Sequence, residues 1–183
     1  MVGEELKNVI TALLFVHAEP CELAVLTAAL EGEATEEDIR AAAEELVAAS
    51  TSALMVQPLA GGWQMRTNPR YAPFVRRMLK NENERRLSSA AQEVLAAVAF
   101  KQPVTRDEIE AMRGVDCSGV LHALLEKKLL GIIGKKQPGG AHLYGTTKQF
   151  LTFMGLNSLA DLPRPDDHDA AVLAESAQEP KGT

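Results

Sequence analysis

Side chains able to act as nucleophiles, bases or metal ligands are few and scattered in this sequence. The histidines are His17, His122, His142 and His168, and the cysteines are Cys21 and Cys117. Two distant thiols make neither a four-ligand zinc site nor a disulfide framework, and the histidines lack ligand spacing. Cys117 stands near the expected start of a helix, where amide dipoles can lower a thiol pKa. It has no basic partner in the sequence, however, which favours a small capping or packing residue. His17 ends an apolar helical stripe and reads as a satisfied core or interface histidine. HExxH, GxSxG, P-loop and GxGxxG patterns are absent. The Gly pairs 61–62 and 139–140 fall inside expected hairpins, where they serve turns and do not cradle phosphate. These residues point away from an enzyme, and no cofactor or metal is expected.

The remaining chemistry is charge. The chain of 183 residues has a formal net charge of −6, unevenly spread. Residues 1–80 are net −4, 81–87 neutral, 88–163 net +1 and 164–183 net −3. A dedicated duplex binder carries a concentrated basic face, and none is visible. The apolar run near the N-terminus ends at His17 and Glu19, too short to span a bilayer, and no basic region with a cleavage site precedes it. A reduced, cytoplasmic protein with no membrane partner is expected.

Elements that would position these residues follow a repeated order. Leu6, Val9, Ile10, Leu13, Leu14 and His17 make one helical stripe, stopped before Pro20. A second helix spans 23–30, with Gly32 as its expected C-cap. Thr35 and Asp38 form a capping box for a third helix, whose buried face is Ile39, Ala43, Leu46 and Val47. Periodicity then switches, giving strands at 54–59 and 63–67 and a further helix after Pro69. The order begins again at Ser88 or Ser89, with Val94, Leu95, Val98 and Ala99 in a helix that ends before Pro103. Thr105 and Glu108 make another capping box, and Gly114 closes that helix. Asp116 or Ser118 is expected to cap the next one, which carries Val120, Leu121, Leu124, Leu125 and Leu129. Strands at 131–135 and 143–146 and a helix at 149–155 complete the second set.

Three helices and a two-stranded wing, found twice, predict a mainly α (α+β) chain with two tandem winged-helix domains. The expected boundaries are 1–80, a linker at 81–87, a second domain at 88–163 and a disordered acidic tail at 164–183. Winged helices often read DNA through the third helix. Here the second domain offers Cys117, Ser118, Gly119 and His122 in those turns, and the first offers Glu36, Glu37, Asp38, Glu44 and Glu45 with only Arg40. Phosphate would be repelled by the latter, leaving at most weak contacts at Lys135 and Lys136 in the wing. A protein-interaction scaffold fits better, and a winged-helix transcription regulator is the alternative.

The second domain carries AFKQPVTRDEIEAMRGVD at 99–116, GVLHALLEKKLL at 119–130, LYGTT at 143–147 and FLTFMGLNSLADLP at 150–163. With ALLFVHAEP at 12–20 and GGWQMRTNPRYAPFVRRML at 61–79, these closely resemble the segregation and condensation protein B family. The resemblance implies a homodimer formed through the N-terminal domains, with no catalytic role. It also implies direct binding to the central region of the kleisin ScpA, and through it to the SMC ATPase, in bacterial chromosome condensation and partition at the nucleoid. The family's wing usually has an Arg-rich Gly-Arg-Pro turn. Here Gly134-Lys135-Lys136 and Gly139-Gly140-Ala141 stand instead, and Cys117 replaces a frequent Ser. Within these motifs Lys101, Gln102, Arg106, Glu110, Arg113, Lys135, Tyr144, Phe153 and Leu156 are the candidate partner-binding residues. Their competing reading is ordinary helix charges and core residues.

Overall fold

A computed structural model describes residues 3–49, 52–79 and 87–163. All of the expected linker at 81–87 except Leu87, and the tail at 164–183, lie outside the described residues.

The first winged-helix domain contains α1 (Glu4–Val16), α2 (Leu23–Ala29), α3 (Glu36–Ala48), β1 (Leu54–Leu59), β2 (Gly62–Thr67) and α4 (Ala72–Leu79). Leu6, Ile10 and Leu14 on α1 are buried, as the i, i+4, i+8 spacing requires, together with Leu26, Ile39, Ala43, Val56 and Trp63. Thr35 and Asp38 form the capping box reciprocally at the start of α3. Two expectations fail in detail. His17 is not on the helical stripe: it is the C-cap of α1, its ring Nδ1 2.7 Å from the Glu19 carbonyl. Gly32 is not the C-cap of α2 either, because Leu30 already closes that helix and Gly32 turns the following loop at φ 86°.

The second winged-helix domain contains α5 (Ser89–Lys101), α6 (Arg106–Arg113), α7 (Ser118–Glu126), β3 (Leu130–Lys135), β4 (His142–Thr146) and α8 (Lys148–Met154). Its core joins Val94, Leu95, Val98, Ile109, Leu121, Leu124, Leu130 and Phe150. Ser88 caps α5, and Thr105 with Glu108 forms the box of α6. Neither Asp116 nor Ser118 caps α7: Cys117 stands at its N-cap, and the Ser118 hydroxyl instead donates to Asp116 at 2.5 Å. Apolar packing fixes that helix start, since Cys117 is buried and makes no side-chain cap bond.

Both hairpins gain a third, one-residue strand from the segment after each domain's first helix. Cys21, following Pro20, exchanges backbone hydrogen bonds with Trp63 at 2.8 and 2.9 Å. Val104, following Pro103, does the same with Tyr144 at 3.3 and 2.8 Å. Proline lacks a donor, so the pairing begins at the next residue, and the two prolines hold equivalent places in the repeat. The glycine pairs do not. Leu59 pairs with Gly62, so the β1–β2 turn is Ala60-Gly61 with φ 50° and 83°, the positive values a tight two-residue hairpin demands. Gly62 is a strand residue pressed on Cys21, whereas Gly139 and Gly140 both lie in a longer loop.

Candidate functional site

The surfaces that would read a duplex carry the wrong chemistry. Glu36, Glu37, Glu44 and Glu45 are all exposed on α3, around Arg40. On α7 the exposed residues are Ser118, Gly119, His122, Ala123 and Glu126, and His122 lies 3.5 Å from Glu126. The first turns of α7 hold no Arg, Asn or Gln for a bidentate contact to a base edge, and on α3 Arg40 stands alone among carboxylates.

Of the nine candidate residues, several are consumed by internal structure. Gln102 caps α5 and grips β4: its Oε1 accepts from the Thr146 N–H at 2.7 Å, and its Nε2 lies 3.0 Å from the Thr146 hydroxyl. Tyr144 is half-buried against the core and pairs with Val104. Arg113 ties α6 to α5 through Glu93 at 3.0 Å, which holds the Glu93 carboxyl below the usual carboxylate range, with a further contribution from Ser89. Glu110 accepts the Cys117 N–H at 3.3 Å and lies 3.4 Å from Arg106. Leu156 is half-buried, and its carbonyl accepts the Ala60 N–H at 3.0 Å. Lys101, Lys135 and Phe153 remain exposed and open to a partner.

Neither thiol is activated. Burial pushes Cys117 up, with Glu110 adding to the effect, as for a packing residue and opposite to what helix amides alone would do; burial likewise raises Cys21. Both cysteines are free and buried. Among the described residues no group of three or more potential metal ligands converges. No described helix is long and apolar enough to cross a membrane.

What the surface does present is exposed apolar area, in two places. In the first domain α4 buries none of its residues: Phe74 is 64% and Met78 84% exposed, with Leu79 and Tyr71 beside them. Phe15 and Val16 at the end of α1 are also exposed, and Phe15 lines a groove with Leu46, Leu54, Met55 and Val56 of about 450 Å³. In the second domain Phe100, Met112, Val115, Ile132 and Ile133 are exposed around the α5–α6 corner and the wing. A bulge between Ile132 and Gly134 re-aims Ile133 outward. Gly145 makes room beneath it, since a Cβ there would lie 2.8 Å from Ile133 Cδ1 and 3.0 Å from Gln102 Oε1. Large apolar side chains left exposed in this way are candidate contact surfaces. The sequence hid them because the same large side chains serve equally well in a core.

Charge completes the site. Residues 62–79 hold Arg66, Arg70, Arg76 and Arg77 and no carboxylate, within an acidic protein. Arg77 stacks over Phe74 at 4.8 Å from the ring centre. At the second domain's wing, Lys136 contacts Glu108 and, with the Thr105 box, drives that carboxyl down to about 2.

The segregation and condensation complex subunit ScpB family model matches residues 8–165. Segregation and condensation protein B of Syntrophotalea carbinolica is 46% identical over 162 residues, covering 87% of this chain and 81% of that one. The protein of the same name from Moorella thermoacetica is 39% identical over 182 residues, covering 98% and 92%. A solved structure, described as a dimer of the ScpB N-terminal domain complexed with ScpA peptide, is 26% identical, covers 40% of this chain and 87% of its own, and has a TM-score of 0.37. With family likeness running through both winged-helix domains, the chain belongs to the ScpB family of segregation and condensation complex subunits.

Proposed function

We propose that this chain acts as a non-catalytic homodimer that binds the central region of the kleisin ScpA and reaches the SMC ATPase through it. Its place is the bacterial cytoplasm at the nucleoid, in chromosome condensation and segregation, with DNA contact weak or indirect. The first domain, 1–80, makes the dimer, and the second, 88–163, takes the kleisin. The observation that carries this reading is the exposed apolar face of α4, none of whose residues is fully buried in its own domain, in a chain of this family. Burying apolar surface yields about 25 cal/mol per Å². A helix with Phe74, Met78 and Leu79 outward, and Tyr71 just before it, gains stability when a second surface covers it. In the second domain Phe100, Lys101, Ile133, Lys135 and Phe153 supply exposed apolar and cationic contacts for a peptide. Gln102, Arg113, Glu110 and Tyr144 hold that surface in shape, and Arg106 lies at its edge.

Co-purification with the kleisin tests the proposal. A complex that survives moderate salt, with two copies of this chain by mass, is expected; a monomer with no kleisin bound refutes it. The alternative, a DNA-binding regulator, requires a tight operator complex with steep salt dependence in a gel-shift series. The acidic exposed face of α3 speaks against that outcome.

A further inference from the structure

Among its described residues the first domain leaves two apolar surfaces open, and their charges are opposite. One is α4. Phe74 and Met78, one turn apart, are 64% and 84% exposed, with Tyr71 a turn before them. Cations lie against this stripe: the Arg77 guanidinium stacks over the Phe74 ring, and Arg70 lies 6.0 Å from the Tyr71 ring centre. Any surface that covers Phe74 must therefore also meet Arg77. The other is the groove of about 450 Å³ between α1, the end of α3 and β1, with Ala12, Phe15, Leu54 and Met55 in its lining. Glu4 and Glu5 stand one helical turn before Asn8 on its α1 side, and Glu45 one turn before Ala49 on its α3 side, all three exposed. Lys7, the only cation of α1, lies 2.8 Å from Glu4 and 3.2 Å from Glu45, which leaves the rim with an excess of carboxylate. The imbalance extends over the domain. Residues 1–49 hold eleven carboxylates against Lys7 and Arg40, whereas residues 52–79 hold four arginines and no carboxylate.

The groove takes none of its lining from α4 of its own chain. The approach to α4 is nevertheless pinned beside it. The Asn68 N–H donates to the Ala53 carbonyl at 2.9 Å and Asn68 Nδ2 to the Ser52 carbonyl at 3.2 Å, at the edge where Ser52 and Leu54 line the groove. Helix and groove start from one place on the domain, so two copies can exchange helices about a single two-fold axis. We infer that a second copy of this chain covers both surfaces, the α4 of each protomer lying in the α1–α3–β1 groove of the other. Phe74 and Met78 then rest on Ala12, Phe15 and Leu54, and Arg70 and Arg77 face Glu4, Glu5 and Glu45. This contact gives the homodimer proposed above its surfaces and depends on that proposal. Pairing α4 against α4 would instead set the arginines of both copies face to face. An eight-residue helix is too small to supply about 800 Å² per partner by itself, whereas reciprocal exchange brings two helices and two grooves into one interface.

Two full-length variants and their mixture test this. Phe74→Ser/Met78→Ser disables the helix, and Ala12→Arg fills the groove and adds a cation to it. All three positions are exposed, so both variants should keep the parent's helical circular dichroism. Each alone should sediment near the monomer mass of 19.7 kDa. Mixed in equal amounts they should recover a dimer, because the intact helix of the Ala12→Arg chain meets the intact groove of the other. The parent dimer should also weaken several-fold at about 0.5 M salt, where the Debye length is roughly 4 Å, whereas an α4–α4 pair would tighten as its like charges are screened. The inference is overturned, and a homodimer of another form stands, if Ala12→Arg dimerises as the parent does, if the mixture stays monomeric, or if salt tightens the parent dimer. A parent chain that is itself monomeric overturns the homodimer and this contact with it.

Discussion

Gly62 is the residue on which the first domain's wing depends most sharply. It sits in β2 directly against the segment that leaves α1, and a Cβ there would lie 2.4 Å from the Cys21 carbonyl oxygen, 2.6 Å from its carbon and 2.9 Å from the Glu22 nitrogen. All three atoms are backbone, so no side chain can swing aside. Gly62→Ala must push that segment away from the neighbouring Trp63. Overpacking of this kind costs about 1–3 kcal/mol. The two Cys21–Trp63 hydrogen bonds that lengthen with it contribute about 0.5–1.5 kcal/mol each. Against this stands a gain of about 0.4–1 kcal/mol from the stiffer unfolded chain. The net is a destabilisation of about 1–6 kcal/mol; at about 3 kcal/mol the fall in Tm is on the order of 10–20 °C for a domain this small. Trp63 is the chain's one tryptophan and is 8% exposed, so its fluorescence in a urea or thermal titration reports on this domain alone. Gly134→Ala in the second domain's wing is the matched control, followed by hydrogen exchange of that wing's amides. The Cβ position there meets only Leu143 Cδ1, at 3.7 Å, and its stability should stay within about 0.5 kcal/mol of the parent. If Gly62→Ala unfolds with the parent's midpoint, the close approach of β2 to Cys21 is wrong.

Four further outcomes are expected. Glu108, held at about 2 by Lys136 and the Thr105 box, has a folded pKa below its ordinary 4.5. Its contribution is therefore complete above that ordinary value and is lost as pH falls toward 2; Glu108→Gln should flatten the acid limb of a urea-midpoint profile between those limits. Gln102→Ala releases the α5 end from β4 and should cost the second domain about 1–3 kcal/mol by hydrogen exchange of wing amides, while Lys101→Ala leaves those amides unchanged. Phe74→Ser with Met78→Ser should convert a dimer to a monomer in light scattering while leaving the Trp63 unfolding midpoint of the monomer in place, because neither side chain is buried in its own domain; a persistent dimer rejects α4 as the contact. Cys21 and Cys117 should resist a neutral thiol reagent until urea unfolds the chain, given burial and raised pKa values.

The order of elements was legible in one dimension because its causes are local. Apolar residues at i, i+4 and i+8 marked α1 through Leu6, Ile10 and Leu14, and Thr35 with Asp38 and Thr105 with Glu108 set helix starts by bonds spanning three residues. The switch from period 3.6 to short β-like runs announced each wing, and the paired prolines announced the repeat. Family resemblance rested on the same local strings. Only the tertiary structure decided which large apolar residues lacked cover, because Phe74 and Phe150 are the same side chain in helices of similar length, yet one is 64% exposed and the other 1%. It likewise decided that Gln102, Glu110 and Arg113 face inward to Thr146, Cys117 and Glu93, and that Cys21 and Val104 each supply a third strand residue. Hydrogen bonds along one helix are fixed by neighbours in sequence, whereas exposure depends on which distant segments come to rest above a face. A single chain's spacing carries the former and is silent on the latter.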